Sequence, residues 1–211
     1  MGASKTATRR GESVHVVQKS KFLGVCVPIA EEDEAAAVLE AQRKQHHGAR
    51  HHCYAFVTGT VRRSSDDGEP PGTAGVPILE VLQRNGVTDT LIVVTRYFGG
   101  VLLGTGGLAR AYTTAAAMAL TDARPVPVYE AVLYRIELDY ARYSRLPAFL
   151  KSARAEVLGE AFGADVKVDL AVRVEDADAF RALYAAFTEG RGVIRETGRE
   201  RRAWSDGTGE T

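Results

Sequence analysis

Apolar and polar positions along this chain follow two periods, and the change between them marks out the elements. Ser13 to Ile29 carries two short apolar-rich runs, SVHVVQ and FLGVCVPI, which predict strands joined around Lys19–Lys21. EEDEAAAVLEAQRKQHHG then predicts a helix, with acids in its first turn, Lys44 and the histidines in its last, and Gly48 as its stop. HHCYAFVTGTV returns as a strand. The stretch from Arg62 to Gly75 is too polar and too rich in Pro and Gly for regular structure. VPILEVLQRNG reads as a helix with Pro77 in its tolerant first turn and Gly86 as its stop. DTLIVVTRYF reads as a strand covered on both faces, because LIVV offers no polar side to water. A glycine-rich loop follows, and then a helix, LARAYTTAAAMALTDA.

Beyond RPVPVYE, whose closely spaced prolines read as a linker, the pattern changes. Val132, Tyr134, Ile136, Leu138 and Tyr140 alternate with Arg135, Glu137 and Asp139, as on a half-buried strand. A helix over Ser144–Val157, a hairpin through LGEAFG and DVKVDLAVRV, a helix over DADAFRALYAAFTEG and a final strand complete the order β-α-β-β-α-β. That order predicts a ferredoxin-like sandwich. The fold class expected is therefore α+β, with a disordered N-terminus at 1–11, a first domain at 12–125, a linker at 126–130, the ferredoxin-like domain at 131–205 and a frayed tail at 206–211.

Composition narrows the function classes. Lys plus Arg and Asp plus Glu each number 27 in 211 residues, so no global field points to nucleic acid or a membrane, and any such surface must come from local clustering. No run reaches the ~18 apolar residues of a membrane span. The polar N-terminus lacks the apolar core of a secretory signal, and Cys26 and Cys53 lie far apart without a CxxC spacing. These features predict a soluble cytoplasmic protein without a disulfide framework.

Three stretches carry candidate chemistry. GTAG at 72–75 and GTGG at 104–107 are near-copies, each opening a helix, and two adjacent helix N-termini would form an anion site. Gly72, Thr73, Gly75, Gly99, Gly100, Gly104, Gly106 and Gly107 would build it, with Lys19, Lys21 and Arg96 nearby. Arg110 opposes the helix dipole, so it calls for a negative partner, either a ligand phosphate or the carboxylates of Asp66, Asp67 and Glu69. Those carboxylates are also the possible magnesium ligands of a nucleotide site. GTGGLA matches G-x-G-x-x-A, but it lies six residues past Phe98 and lacks the acid on a following strand, so it is not a dinucleotide fingerprint. In the histidine-rich stretch, His51, His52 and Cys53 are the candidate metal ligands, although His51 and His52 would point to opposite faces of a strand. No nucleophile sits beside an evident base and a third group, so a catalytic residue is not assigned; the sequence favours a non-enzyme without a required cofactor but leaves open whether any reaction is catalysed, with magnesium or a nucleotide as the alternative. In the second domain, Arg135, Lys167, Arg173, Arg195, Arg199 and Arg201 fall on the open sheet face, where a basic surface suits a phosphate backbone, without stacking aromatics to read bases.

KSKFLG (19–24), HHCYAFV (51–57), SDDGEPPGTAGVPILEVL (65–82) and VVTRYFGGVLLGTGGLARAY (93–112) together resemble the YigZ/IMPACT family. The resemblance covers most of the first ~125 residues and extends to the two-domain layout of the bacterial members. It implies a first domain similar to domain 2 of ribosomal protein S5 and a second resembling the last domain of elongation factor G. It further implies a non-catalytic role in translational regulation, with RNA, a ribosome or a translation factor as partner. Eukaryotic members are cytosolic regulators that compete for the activator of a stress kinase. The S5-type fold also houses small-molecule kinases, which keeps a nucleotide- or phosphate-binding reading open, as does a purely protein-binding one. The sequence leaves the oligomeric state open.

Overall fold

A computed structural model of the chain describes residues 4–204. The chain divides into two units, one built from residues up to Val128 together with those from Ala203 onward, the other from Tyr129–Arg202.

The first unit contains β1 (Lys5–Thr6), β2 (Gly11–Val17), β3 (Ser20–Pro28), α1 (Glu32–Gln45), β4 (His51–Thr58), β5 (Val61–Ser65), α2 (Gly75–Arg84), β6 (Thr90–Tyr97) and α3 (Gly104–Asp122). Five of these strands form a sheet in the order β2-β3-β6-β4-β5, every neighbouring pair antiparallel. The LIVV strand lies at its centre, and Leu91, Ile92, Val93 and Val94 are all fully buried. Ile92 and Val94 join Phe22, Cys26, Cys53 and Ala55 under α2 and α3. Leu91 and Val93 join Phe56 under Ala35 and Leu39 of α1. The alanines of α3 let it lie close on the sheet. A Cβ on Gly24 would come within 2.8 Å of the Ala115 carbonyl oxygen.

Several expectations are corrected here. The segment expected to be disordered is tied down among its described residues: Lys5 and Thr6 pair with Pro127 and Val126, Ala7 is buried, and Arg9 pairs with Asp122. Short polar segments order in this way when backbone and side-chain donors find partners. The linker over 126–130 lies instead within a strand, β7 (Val126–Leu138). Its Pro127 is tolerated where the neighbouring strand is only two residues long. Part of the polar loop is also a strand: β5 pairs with β4 and is mostly exposed, as a polar edge strand should be. GTGG forms the first turn of α3 rather than preceding it.

In the second unit β7 continues and is followed by α4 (Tyr140–Tyr143), α5 (Leu146–Ala153), β8 (Ala155–Phe162), β9 (Val166–Arg173), a short 3-10 turn, α6 (Ala177–Phe187) and β10 (Val193–Ala203). The strand order β10-β7-β9-β8 is the ferredoxin-like one. Val132, Tyr134, Ile136 and Leu138 pack with Phe149, Phe180 and Tyr184 as the alternation predicts. Tyr140 does not continue that stripe. The side chain of Asp139 accepts the Arg142 N–H and starts α4, leaving Tyr140 52% exposed. Arg154 adopts a left-handed φ of 49° and ends α5 before β8. The expected tail at 206–211 lies outside the described residues.

Candidate functional site

The acidic stretch DDGE turns inward. Oδ1 of Asp66 accepts the N–H groups of Ala74 (2.9 Å) and Gly75 (2.8 Å), and Oδ2 accepts that of Gly72 (2.8 Å). The carboxylate thereby folds the DGEPPGTAG loop back on itself and fills the N-terminus of α2. Burial pushes the Asp66 carboxyl up, but the three backbone donors outweigh it and hold the group below its ordinary value. Asp67 follows at a φ of 42°. Its Oδ2 accepts the His52 N–H at 2.7 Å, its Oδ1 pairs with Arg43 at 3.0 Å, and its carbonyl oxygen meets His51 Nδ1 at 2.9 Å.

Glu69 goes deeper still. Its Oε1 lies 2.6 Å from Arg96 Nη1, and both side chains are nearly inaccessible. The same oxygen accepts the Tyr112 hydroxyl at 2.8 Å, while Cys53 Sγ donates to the Asp66 carbonyl at 3.0 Å and lies 3.3 Å from the Tyr112 hydroxyl oxygen. The Arg96 guanidinium lies 5.5 Å from the ring centres of both Phe22 and Phe98, and Phe22 meets Tyr112 edge-on at 5.1 Å. Burial pushes the Cys53 thiol and the Tyr112 hydroxyl above their ordinary values. These groups form a buried network that joins β4, β6, α3 and the acidic loop.

The glycines are mostly matters of close approach. A Cβ on Gly99 would stand 2.1 Å from the Lys19 carbonyl carbon and 2.2 Å from the Ser20 nitrogen, and the Gly99 N–H donates to Ser20 Oγ at 3.0 Å. The loop after β6 is thus pressed onto the β2–β3 turn. A Cβ on Gly75 would collide with the Ser65 backbone at 2.7 Å. Gly100, Gly104 and Gly106 lie on the surface, with Gly107 half-buried in the first turn of α3. Thr73 turns its hydroxyl onto the Pro70 carbonyl.

These contacts engage the groups expected to build the anion and magnesium sites. The α2 N-terminus is occupied by Asp66. Arg110 pairs with none of Asp66, Asp67 or Glu69, which are engaged elsewhere. It is exposed, forms no ion pair among the described residues, and lines a hollow of about 220 Å³ with His15, Gln18, Leu103, Gly107 and Thr114. Nor do His51, His52 and Cys53 converge, since neighbours on β4 point to opposite faces. No cluster of three His, Cys, Asp or Glu side chains among the described residues could hold a metal. His52 is buried, and desolvation holds its imidazole below its ordinary pKa.

What remains on the outside is a surface around the β2–β3 turn. Lys19 and Lys21 are exposed and, like Arg110, have no ion-pair partner among the described residues. Beside them stand Phe98 (52% exposed), Val101 (45%) and Leu102 (85%). Sequence reasoning missed Tyr112, Phe22 and Phe98 as partners of the signature, though the aromatics of RYF and RAY were the available signal. In the second unit the basic face is largely matched. Arg135 makes two hydrogen bonds to Asp169, Arg199 pairs with Glu196, and Arg201 lies 3.7 Å from Glu130. Arg173 is buried and stacked 3.9 Å from the Tyr129 ring centre. Lys167 and Arg195 are exposed without an ionic partner among the described residues.

The fold and site thus define a two-unit α+β protein in which an acidic, glycine-rich signature is internal and a cationic, apolar turn region is external. The model of the Impact N-terminal domain matches residues 18–120, and that of a domain of unknown function (DUF1949) matches residues 136–191. IMPACT family member YvyE of Bacillus subtilis is 35% identical over 197 residues, covering 90% of this chain and 89% of that protein. IMPACT family member YigZ of Escherichia coli is 36% identical over 185 residues, covering 84% and 89%. A solved structure titled as a hypothetical protein superposes with a TM-score of 0.60 at 30% identity, covering 94% of this chain and 98% of its own. The chain belongs to the IMPACT family. No helix among the described residues is long and apolar enough to cross a membrane.

Proposed function

We propose that this protein is a non-catalytic regulator associated with translation, which binds RNA or a protein of the translation machinery through the β2–β3 turn surface. The observation that carries the reading is the contrast in how charge is used. Asp66, Asp67 and Glu69 are engaged inside the protein, whereas Lys19, Lys21 and Arg110 stand outside without ionic partners among the described residues, beside exposed Phe98, Val101 and Leu102. Unmatched cations next to apolar side chains are the composition of a docking surface. Association with translation is what the family resemblance implies. The non-catalytic reading is supported by the burial of Cys53, the thiol nearest to histidines and acids, inside the hydrogen-bonded network.

Co-sedimentation with ribosomes in a sucrose gradient tests this. The protein should travel with the ribosomal fractions at low salt and be released as salt rises, because each cation–phosphate or cation–carboxylate contact is screened. Nuclease treatment separates an RNA partner from a protein one. A protein that stays at the top of the gradient at every salt concentration contradicts the reading.

A further inference from the structure

The β2–β3 hairpin leaves an edge. Val17 pairs with Ser20, and Gln18 and Lys19 between them have φ values of 44° and 65°, which is the two-residue turn that matches strand twist. In such a hairpin the closing pair exchanges hydrogen bonds and the pattern alternates outward, so Val17, His15 and Ser13 bond to β3. Glu12, Val14 and Val16 turn their N–H and C=O groups away from it. The Glu12 N–H confirms the phase, since it donates to Asp122 Oδ2 at 2.9 Å. β2 is a terminal strand of its sheet, and nothing among the described residues takes up the outward groups of Val14 and Val16. Their side chains are 56% and 60% exposed. Edge strands in stable proteins are usually blunted by charge, proline or a bulge; this one presents two valines.

Resting on the docking surface assigned above, we propose that β2 accepts an extended segment of an acidic partner protein as an added strand. The outward N–H and C=O groups of Val14 and Val16 supply the ladder, and their side chains cover alternate apolar residues of the partner. Acids flanking that apolar core meet Lys19, Lys21 and Arg110. Charge decides between occupants. A second copy of this chain would bring Glu12, already paired with Arg10, and would leave the three cations unmatched. RNA would meet the cations but leave the valines uncovered.

The probe is a short synthetic peptide in which valine alternates with threonine between pairs of Asp and Glu. A second peptide carries lysines at its ends. With the acidic peptide, exchange of the Val14 and Val16 amides should slow by about tenfold or more, and the lysine peptide should leave them unchanged. Val16→Pro removes only an outward N–H, which an edge position tolerates, so Ser13 and His15 should stay protected while peptide affinity falls about tenfold or more. Val14→Glu, which keeps every backbone group, should weaken binding of the acidic peptide by replacing an apolar contact with a like charge. The proposal is overturned if the acidic peptide fails to bind at about 1 mM, the weak end of specific recognition. It is equally overturned if protection appears away from β2, or if the two amides are protected by the protein's own concentration or by duplex RNA. Partner binding lost on reversing Lys19, Lys21 and Arg110 but kept in Val16→Pro would sustain the docking surface and defeat the strand addition.

Discussion

Glu69 and Arg96 show what the acidic signature does at the scale of single residues. A charge pair removed from water on both sides contributes little over an apolar pair, but removing one partner strands the other, at about 3–5 kcal/mol. Glu69→Ala should therefore destabilise the protein by that order in urea unfolding, whereas Glu69→Gln, which still accepts the Tyr112 hydroxyl, should cost less. Asp66 gives a pH signature. Its folded pKa lies below the unfolded one, so its contribution is complete above the unfolded value and lost as pH falls through the folded value. Asp66→Asn should flatten the acid side of the stability profile, below about pH 4, and lower stability at neutral pH. Equal acid slopes for both proteins would remove the capping role. None of this was legible as such in the sequence: Asp66, Asp67 and Glu69 stood out, but a carboxylate aimed at backbone N–H groups looks the same in letters as one aimed at a metal.

The loop after β6 and the helix that follows it make the argument at the scale of elements. Gly99 sits where any side chain would enter the Lys19–Ser20 backbone, so Gly99→Ala should cost about 1–3 kcal/mol through overpacking and disturb the β2–β3 turn. Gly106 is helical and open, its nearest side-chain atom being Arg110 Nη1 at 3.5 Å from an added Cβ. Gly106→Ala should stabilise α3 by up to about 1 kcal/mol through propensity alone. Thermal unfolding of the two variants should move in opposite directions, and parallel shifts would contradict the close-approach account. The elements themselves were largely readable. LIVV had no face for water and lies at the sheet centre, and the period-two run from Val132 forms the second core. Two kinds of segment failed. Lys5–Thr6 and the Pro127 region pair with each other across the chain, so no local pattern announces them, whereas β5 pairs with β4 through a tight turn at Gly59 and is hidden by its polar residues.

For the whole molecule, equal numbers of opposite charges conceal an uneven use of them. In the second unit the arginines and acids of the sheet are largely matched, Arg135 with Asp169 above all, with Lys167 and Arg195 the exceptions among the described residues, and the hydrogen bonds from Arg135 hold the Asp169 carboxyl below its ordinary range. In the first unit three cations at one turn are unmatched among the described residues. The sequence could place both sets on surfaces but could not tell the neutralised one from the free one, because partners such as Asp169 and Glu196 are fixed only by strand register and local turns. Binding should therefore follow the first set. Arg135→Ala with Arg199→Ala should leave partner binding unchanged. The most direct measurement is the salt dependence of ribosome or translation-factor binding by the native chain and by Lys19→Glu/Lys21→Glu/Arg110→Glu, with unfolding curves to show that both are folded. Binding that collapses in the variant, together with a native log–log salt slope of about 2 to 3 for three contacts, is the predicted result. A folded variant that binds as the native chain does, with the same slope, would contradict the account.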